Sequence, residues 1–261
     1  MSNRGVPTIV AEHIVSQLTS QKSTRPLFVA LQGPQGIGKT TLTSALQREL
    51  TTVHRVRVAV LSLDDFYLPH IGLVEVAEKH LGNDLFSGRG QPGTHDLDLA
   101  RRTLEGLAGI NDDLQSSANP SGKLIKAPLF DKSLLDGKGD RSSNELSIEG
   151  PLDIVLFEGW CMGFYPLPES ELYELYKTIV SSANPFENEP RPEADIERAM
   201  IAPYPVEHIL QVNTYLRTYT ETLYDFFSTF VQVCNLALLL QMCPLIDVLN
   251  SSVPPLYIHT H

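Results

Sequence analysis

Cysteine is scarce in this chain: Cys161, Cys234 and Cys243 are three in 261 residues. Their odd number and wide spacing form neither a CxxC pair nor a zinc pattern, which argues against a disulfide scaffold and suits free thiols in a reducing compartment. Positive charge is also short. Twenty Lys and Arg stand against 31 Asp and Glu, for a net charge of -11. Such a chain has no general hold on nucleic-acid phosphates, so no nucleic-acid partner is expected, and any anionic ligand requires a local basic pocket. The opening MSNRGVPTIV has no basic segment followed by a long apolar run, and His259-Thr260-His261 is no retention or import signal. A cytoplasmic protein is expected on these grounds. The stretch from Phe226 to Leu249 approaches the hydropathy of a membrane span but contains Gln232, Asn235, Gln241, Pro244 and Asp247. Those polar groups are costly in lipid and speak against an anchor. Nothing here sets an oligomeric state.

What remains is ordinary globular composition, 42% apolar and 20% charged, in a length that suits one large domain. We expect one domain over residues 1–261, with a surface excursion at 181–205, where Pro, Asn and Glu concentrate, and an atypical tail at 234–261. Ile9, Val10, Ile14 and Leu18 recur at helical spacing and predict a leading helix from Pro7 to Leu18. Pro26 to Leu31 is a short, wholly apolar run of the kind a buried parallel strand shows. A helix marked by Leu42, Ala45, Leu46 and Leu50 follows it. Two further strand-like runs, Val56 to Leu63 and Leu152 to Phe157, end at Asp64-Asp65 and Glu158. Helices are expected over Leu73 to Leu81, after a cap at Thr94 or Asp96, and over Val206 to Tyr224; Phe227 to Val233 reads as another strand. Strands alternating with helices and ending in acids predict an α/β fold, a parallel sheet with helices on both faces and ligands at the carboxyl ends of its strands.

One segment carries most of the chemistry. Gly33-Pro34-Gln35-Gly36-Ile37-Gly38-Lys39-Thr40 matches G-x-x-x-x-G-K-[ST], between a predicted strand and a predicted helix. The glycines let backbone N–H groups point at phosphate oxygens, Lys39 reaches the β and γ phosphates, and Thr40 offers its hydroxyl to Mg²⁺. With Thr41 these residues make the expected ATP site. Glu158 occupies the place of a second Mg²⁺-holding acid. Asp64 or Asp65 could accept the proton of an attacking hydroxyl. Adjacent strand residues face opposite ways, so only one can face the phosphates, and Asp64 is the choice. Trp160 follows Glu-Gly directly and is expected in the wall of a cleft. Phe66 and Tyr67 fit either an acceptor pocket or the core. The stretch from Lys123 to Arg141 holds five basic and three acidic residues, reversing the overall charge, and is an anion-contact candidate.

The motifs GPQGIGKT, SLDDFYLPH, SGRGQPGTHD, APLFDKSLLDGKGDR and DIVLFEGWCMGF together resemble the fungal and plant glycerate-kinase-like P-loop kinases, a group related to uridine kinase, phosphoribulokinase and bacterial pantothenate kinase. The resemblance runs from Pro26 to Phe164 and more weakly through Phe230. It implies an ATP- and Mg²⁺-dependent transfer of phosphate to a hydroxyl of a small metabolite, with glycerate as the leading acceptor and a nucleoside or pantothenate-like alcohol as the alternative. It implies Asp64 as the base, Lys39 and Glu158 beside it, and Asp65, Tyr67, Arg89, His95, Asp96, Asp131, Lys132 and Arg141 around the acceptor. Arginine forks suit carboxylate or phosphate, and Lys132 supplies a point charge.

The chain departs from that family near its end, where a W-R-x-x-Q-E segment and a D-R-Y motif are not visible. After Arg217 no Lys or Arg occurs in the remaining residues. A lid arginine from this tail is therefore not expected, and transition-state charge would rest on Lys39, Mg²⁺ and Arg141. A nucleotide-binding protein with little transferase activity is the alternative reading of the whole.

Overall fold

The computed structural model describes residues 5–33, 38–112, 123–181, 201–235 and 256–260. Its centre is a sheet of five parallel strands, β1 (Leu27–Gln32), β2 (Val58–Ser62), β5 (Ile154–Gly159), β6 (Thr229–Asn235) and β7 (Leu256–Thr260), in the order β2-β5-β1-β6-β7. Because side chains alternate along a strand, β1 feeds two cores. Leu27, Val29 and Leu31 pack on one face with α1 (Val6–Ser20) and α2 (Lys39–Thr52), through Val10, Ile14, Leu42, Leu46 and Leu50. Phe28 and Ala30 point the other way, toward α4 (Leu97–Ala108) and α6 (Val206–Leu223), through Leu104, Leu107, Tyr219 and Leu223. Every one of those side chains except Leu42 is essentially without solvent contact, and each buried leucine contributes about 2 kcal/mol. The expected sheet with helices on both faces is the one observed.

Several boundaries fall elsewhere than the sequence suggests. β5 and β6 each begin two residues later than expected, and β5 runs on to Gly159, so Glu158 lies inside a strand rather than after it. β2 stops at Ser62, and the two aspartates belong to a tight 3₁₀ turn, Leu63–Phe66, in which the Ser62 hydroxyl accepts the Asp64 N–H. The argument from alternating strand faces therefore does not apply to Asp64 and Asp65; in a 3₁₀ turn successive residues are about 120° apart, which also separates them. The expected helix at Leu73 to Leu81 is α3 (His70–Lys79): Pro69 sets its start, and Leu81 lies beyond its end, 91% exposed.

The largest feature the periodicity missed is an antiparallel hairpin, β3 (Leu124–Asp131) and β4 (Asp140–Glu149), within the basic stretch. Pro128 lies where its register shifts, which breaks the regular alternation. The remaining helix, α5 (Glu169–Ser181), leads into the expected surface excursion, most of which, 182–200, lies outside the described residues. Of the expected tail, Cys234 and Asn235 finish β6 and Leu256–Thr260 pairs beside it as β7; the apolar stretch between them lies outside the described residues. No described helix is long and apolar enough to cross a membrane.

Candidate active site

The carboxyl ends of β1, β2 and β5 meet at one level, because Glu158 is in register with Leu31 on one side and Ser62 on the other. β1 runs into Gly33, and α2 begins immediately after Gly38, which holds φ +86, a left-handed backbone that glycine adopts without strain. Pro34, Gln35, Gly36 and Ile37, the middle of the expected phosphate loop, lie outside the described residues. Lys39 and Thr40 form the first turn of α2, whose N–H groups and dipole favour an anion; Thr41 is exposed beside them.

Above these strand ends is a cavity of about 950 Å³. Of the residues expected from the sequence, Lys39, Thr40, Asp64, Tyr67, Arg89, Lys132, Glu158 and Trp160 line it. Asp64 and Lys39 both act on Glu158, and both carboxylates act on Lys39. Burial pushes the Glu158 carboxyl above its usual range, the Lys39 ammonium pulls it back, and Asp64 pushes it up again. Burial lowers the Lys39 ammonium against the opposing charges of Glu158 and Asp64. Lys132 Nζ donates to Asp64 Oδ2 at 2.5 Å. With these side chains 54% and 31% exposed, the pair is worth about 1 kcal/mol or less. Tyr67 also hydrogen-bonds Asp64, and burial drives its phenol far above the usual range. Trp160 is fixed in the cavity wall by an Nε1–H bond to Gly90 O at 2.9 Å.

Other expected residues are turned elsewhere. Asp65 Oδ1 accepts the Phe130 N–H at 3.2 Å, which ties the hairpin to the 3₁₀ turn, and burial raises its carboxyl above the usual range. His95 is buried behind Tyr67, stacked on it at 4.1 Å, with Nδ1 2.6 Å from the Tyr219 hydroxyl. Burial holds its imidazole neutral by lowering it to about 3. Asp96 caps α4 through the Leu99 N–H, and its other oxygen faces the Arg141 guanidinium at 3.4 Å. Arg141 also donates to Tyr67 O at 2.9 Å, so this pair braces the floor beneath the cavity. Asp131 accepts from Ser133 at the start of the hairpin turn. Arg89 both lines the cavity and donates to Gly137 O at 2.9 Å and Lys138 O at 2.5 Å, stacking above Phe130. Phe66 is wholly buried and belongs to the core.

Ser62, His70 and Lys138 line the cavity without having been singled out by the sequence. Each lies inside a motif already recognised, two at the ends of SLDDFYLPH and one in the hairpin turn, but only the folded chain turns them to one space. The hydroxyl of Thr40 and the carboxylate of Glu158 are hard oxygen donors on one cavity, and the partly buried Glu158 carboxyl gains from a cation nearby. This donor set fits Mg²⁺.

No family model matches the chain. Curated relatives do. Over 145 residues it is 43% identical to the chloroplastic D-glycerate 3-kinase of Arabidopsis thaliana, which covers 55% of this chain and 30% of the plant protein. Over 144 residues it is 35% identical to a probable ATP-dependent kinase of Saccharomyces cerevisiae, 54% of this chain and 48% of the yeast protein. The match thus spans a third to about half of those relatives. Among solved structures, D-glycerate 3-kinase from Cryptococcus neoformans var. grubii superposes with a TM-score of 0.73 at 35% identity, over 89% of this chain and 74% of that one. The chain belongs to the D-glycerate 3-kinase-like family of P-loop kinases.

Proposed function

We propose that the protein transfers the γ-phosphoryl group of ATP to a hydroxyl of a small metabolite, glycerate first among the candidates. The observation that carries this reading is the convergence of Lys39, Thr40, Asp64 and Glu158 on one cavity at the strand ends. Relatives named as D-glycerate 3-kinases supply the acceptor. Lys39 binds the β and γ phosphates and stabilises the charge that moves from the γ group to the bridging oxygen. Asp64 orients the acceptor hydroxyl and takes its proton. Thr40 and Glu158 would hold Mg²⁺, which when bound would supply positive charge against the phosphates. Trp160 and Tyr67 wall the space against water, and Lys132, Lys138 and Arg89 surround the acceptor with positive charge.

The alternative, a nucleotide-binding protein with little transferase activity, rests on the lack of Lys and Arg in the tail. The cations that line the cavity all precede Arg217, so the cavity does not depend on the tail for positive charge. The reading is tested by coupled detection of ADP from Mg·ATP with D-glycerate, uridine and pantothenate in parallel. Glycerate-dependent ADP is the expected outcome. ADP formation with uridine or pantothenate alone would move the acceptor, and ADP with none of the three would refute the transferase.

A further inference from the structure

Two residues far apart in sequence, Asp64 in the 3₁₀ turn and Lys132 in the hairpin turn, both line the cavity and are joined by an ion pair at 2.5 Å. The pair occupies a carboxylate that the reaction needs elsewhere. An aspartate that takes a proton from a hydroxyl must present an oxygen to that hydroxyl, and an ammonium bound to it fills that place.

The hairpin turn is tethered on both flanks, by the Phe130 N–H on Asp65 and by Arg89 on the carbonyls of Gly137 and Lys138, and the Lys132 ammonium reaches Asp64 from between them. Lys132 can therefore swing on its own stem with the backbone still. An exposed pair of this kind is weak enough for a competing anion to displace. Lys138 lines the same cavity and adds a second positive charge for such an anion. Tyr67, Lys39, Glu158, Asp65 and His95 are further polar groups around Asp64, and the Tyr67 hydroxyl bonds its side chain.

We infer that Lys132 is an acceptor sensor: it holds Asp64 in the free protein and releases it when the acceptor's own carboxylate takes over the ammonium. The inference rests on the kinase reading and deepens it, by making a carboxylate on the acceptor a condition for turnover. Once released, Asp64 accepts the proton of the acceptor hydroxyl. The acceptor oxygen then bonds to the γ-phosphorus, and the bond from that phosphorus to the β,γ-bridging oxygen breaks with its electron pair leaving on ADP. When no hydroxyl is present, water takes the acceptor's place and ATP is hydrolysed to ADP and phosphate. In the free protein the ion pair suppresses that waste.

Propionate carries the carboxylate without a hydroxyl, and propionamide is its uncharged counterpart. With Mg·ATP, propionate should raise hydrolysis by the unaltered protein about fivefold, the order expected for loss of one exposed ion pair, while propionamide does not. Lys132→Met should already hydrolyse ATP about fivefold faster without any addition and should no longer respond to propionate; its KM for glycerate should rise with a smaller change in kcat. Lys132→Arg should restore the low basal rate, and Lys132→Met with Asp64→Asn should abolish the gain. Equal rates with propionate and propionamide in the unaltered protein overturn the inference, whether or not the variants fold, as does an unchanged basal rate in folded Lys132→Met. ATP hydrolysis that responds to propionate without any phosphorylation of glycerate would instead contradict glycerate as acceptor and leave the role of Lys132 intact.

Discussion

The cavity has two sides built in different ways. On the side proposed for the nucleotide, Lys39 and Thr40 come one loop after a buried strand and open a helix that is clamped to the sheet by Leu42, Leu46 and Leu50. On the side proposed for the acceptor, Lys132 and Lys138 sit in a hairpin turn held by side-chain contacts, and the Lys132–Asp64 bond joins positions 68 apart in sequence. The first side owes its geometry to local chain direction and a dry core; the second owes it to a few polar tethers. Phosphate binding should therefore be robust, and acceptor recognition should be the part that small changes can alter.

The sharpest way to test that division is to remove the group where the sides meet. Asp64→Asn should lower kcat by about 10² to 10⁴ while Mg·ATP affinity, measured by calorimetry, stays within a few-fold. A parallel loss of affinity would mean that Asp64 belongs to the nucleotide side. Next in size, Lys39→Ala removes charge-assisted contacts to phosphate and should weaken Mg·ATP binding by about 10- to 100-fold, with little change in thermal midpoint. Glu158→Gln should show chiefly as a higher Mg²⁺ requirement, about tenfold, at unchanged acceptor KM.

The same division explains what could be read from the sequence. The phosphate loop is contiguous, so residues such as Lys39 and Thr40 declared themselves by spacing, and the apolar runs of β1 and β5 declared the sheet. The hairpin did not. Its turn contains Asp136-Gly137, a recognisable signal, but Pro128 and the register shift spoil the alternation before it. The family resemblance implied Arg141 and Asp96 around the acceptor; in the fold they face each other at 3.4 Å, and Arg141 donates to the Tyr67 carbonyl. Sequence showed which groups were present, but which way each one faces depends on long-range pairing.

Smaller effects separate the tethers from the frame. Arg89→Ala should free the hairpin tip and raise acceptor KM about fivefold, with Mg·ATP affinity unchanged, because its contacts to Gly137 and Lys138 are lost. Far from the cavity, Arg57 grips Asp153 at 2.6 Å. Burial pushes the Asp153 carboxyl up, but hydrogen bonds from Arg57 outweigh it and hold the group below its ordinary range. A depressed folded value means that this contribution is complete above the unfolded carboxylate value and is lost as pH falls through the folded one. Arg57→Ala should thus cost about 0.5 kcal/mol near neutrality, given the exposure of the arginine, and the gap in thermal midpoint should close below about pH 4. Turnover should not change.

The most direct measurement is ³¹P NMR of the unaltered protein with Mg·ATP and D-glycerate. The account predicts that the γ-phosphate resonance of ATP declines as a phosphomonoester resonance grows in equal amount, with little free phosphate. Growth of free phosphate alone, or an unchanged ATP spectrum under conditions where calorimetry shows ATP bound, would contradict it.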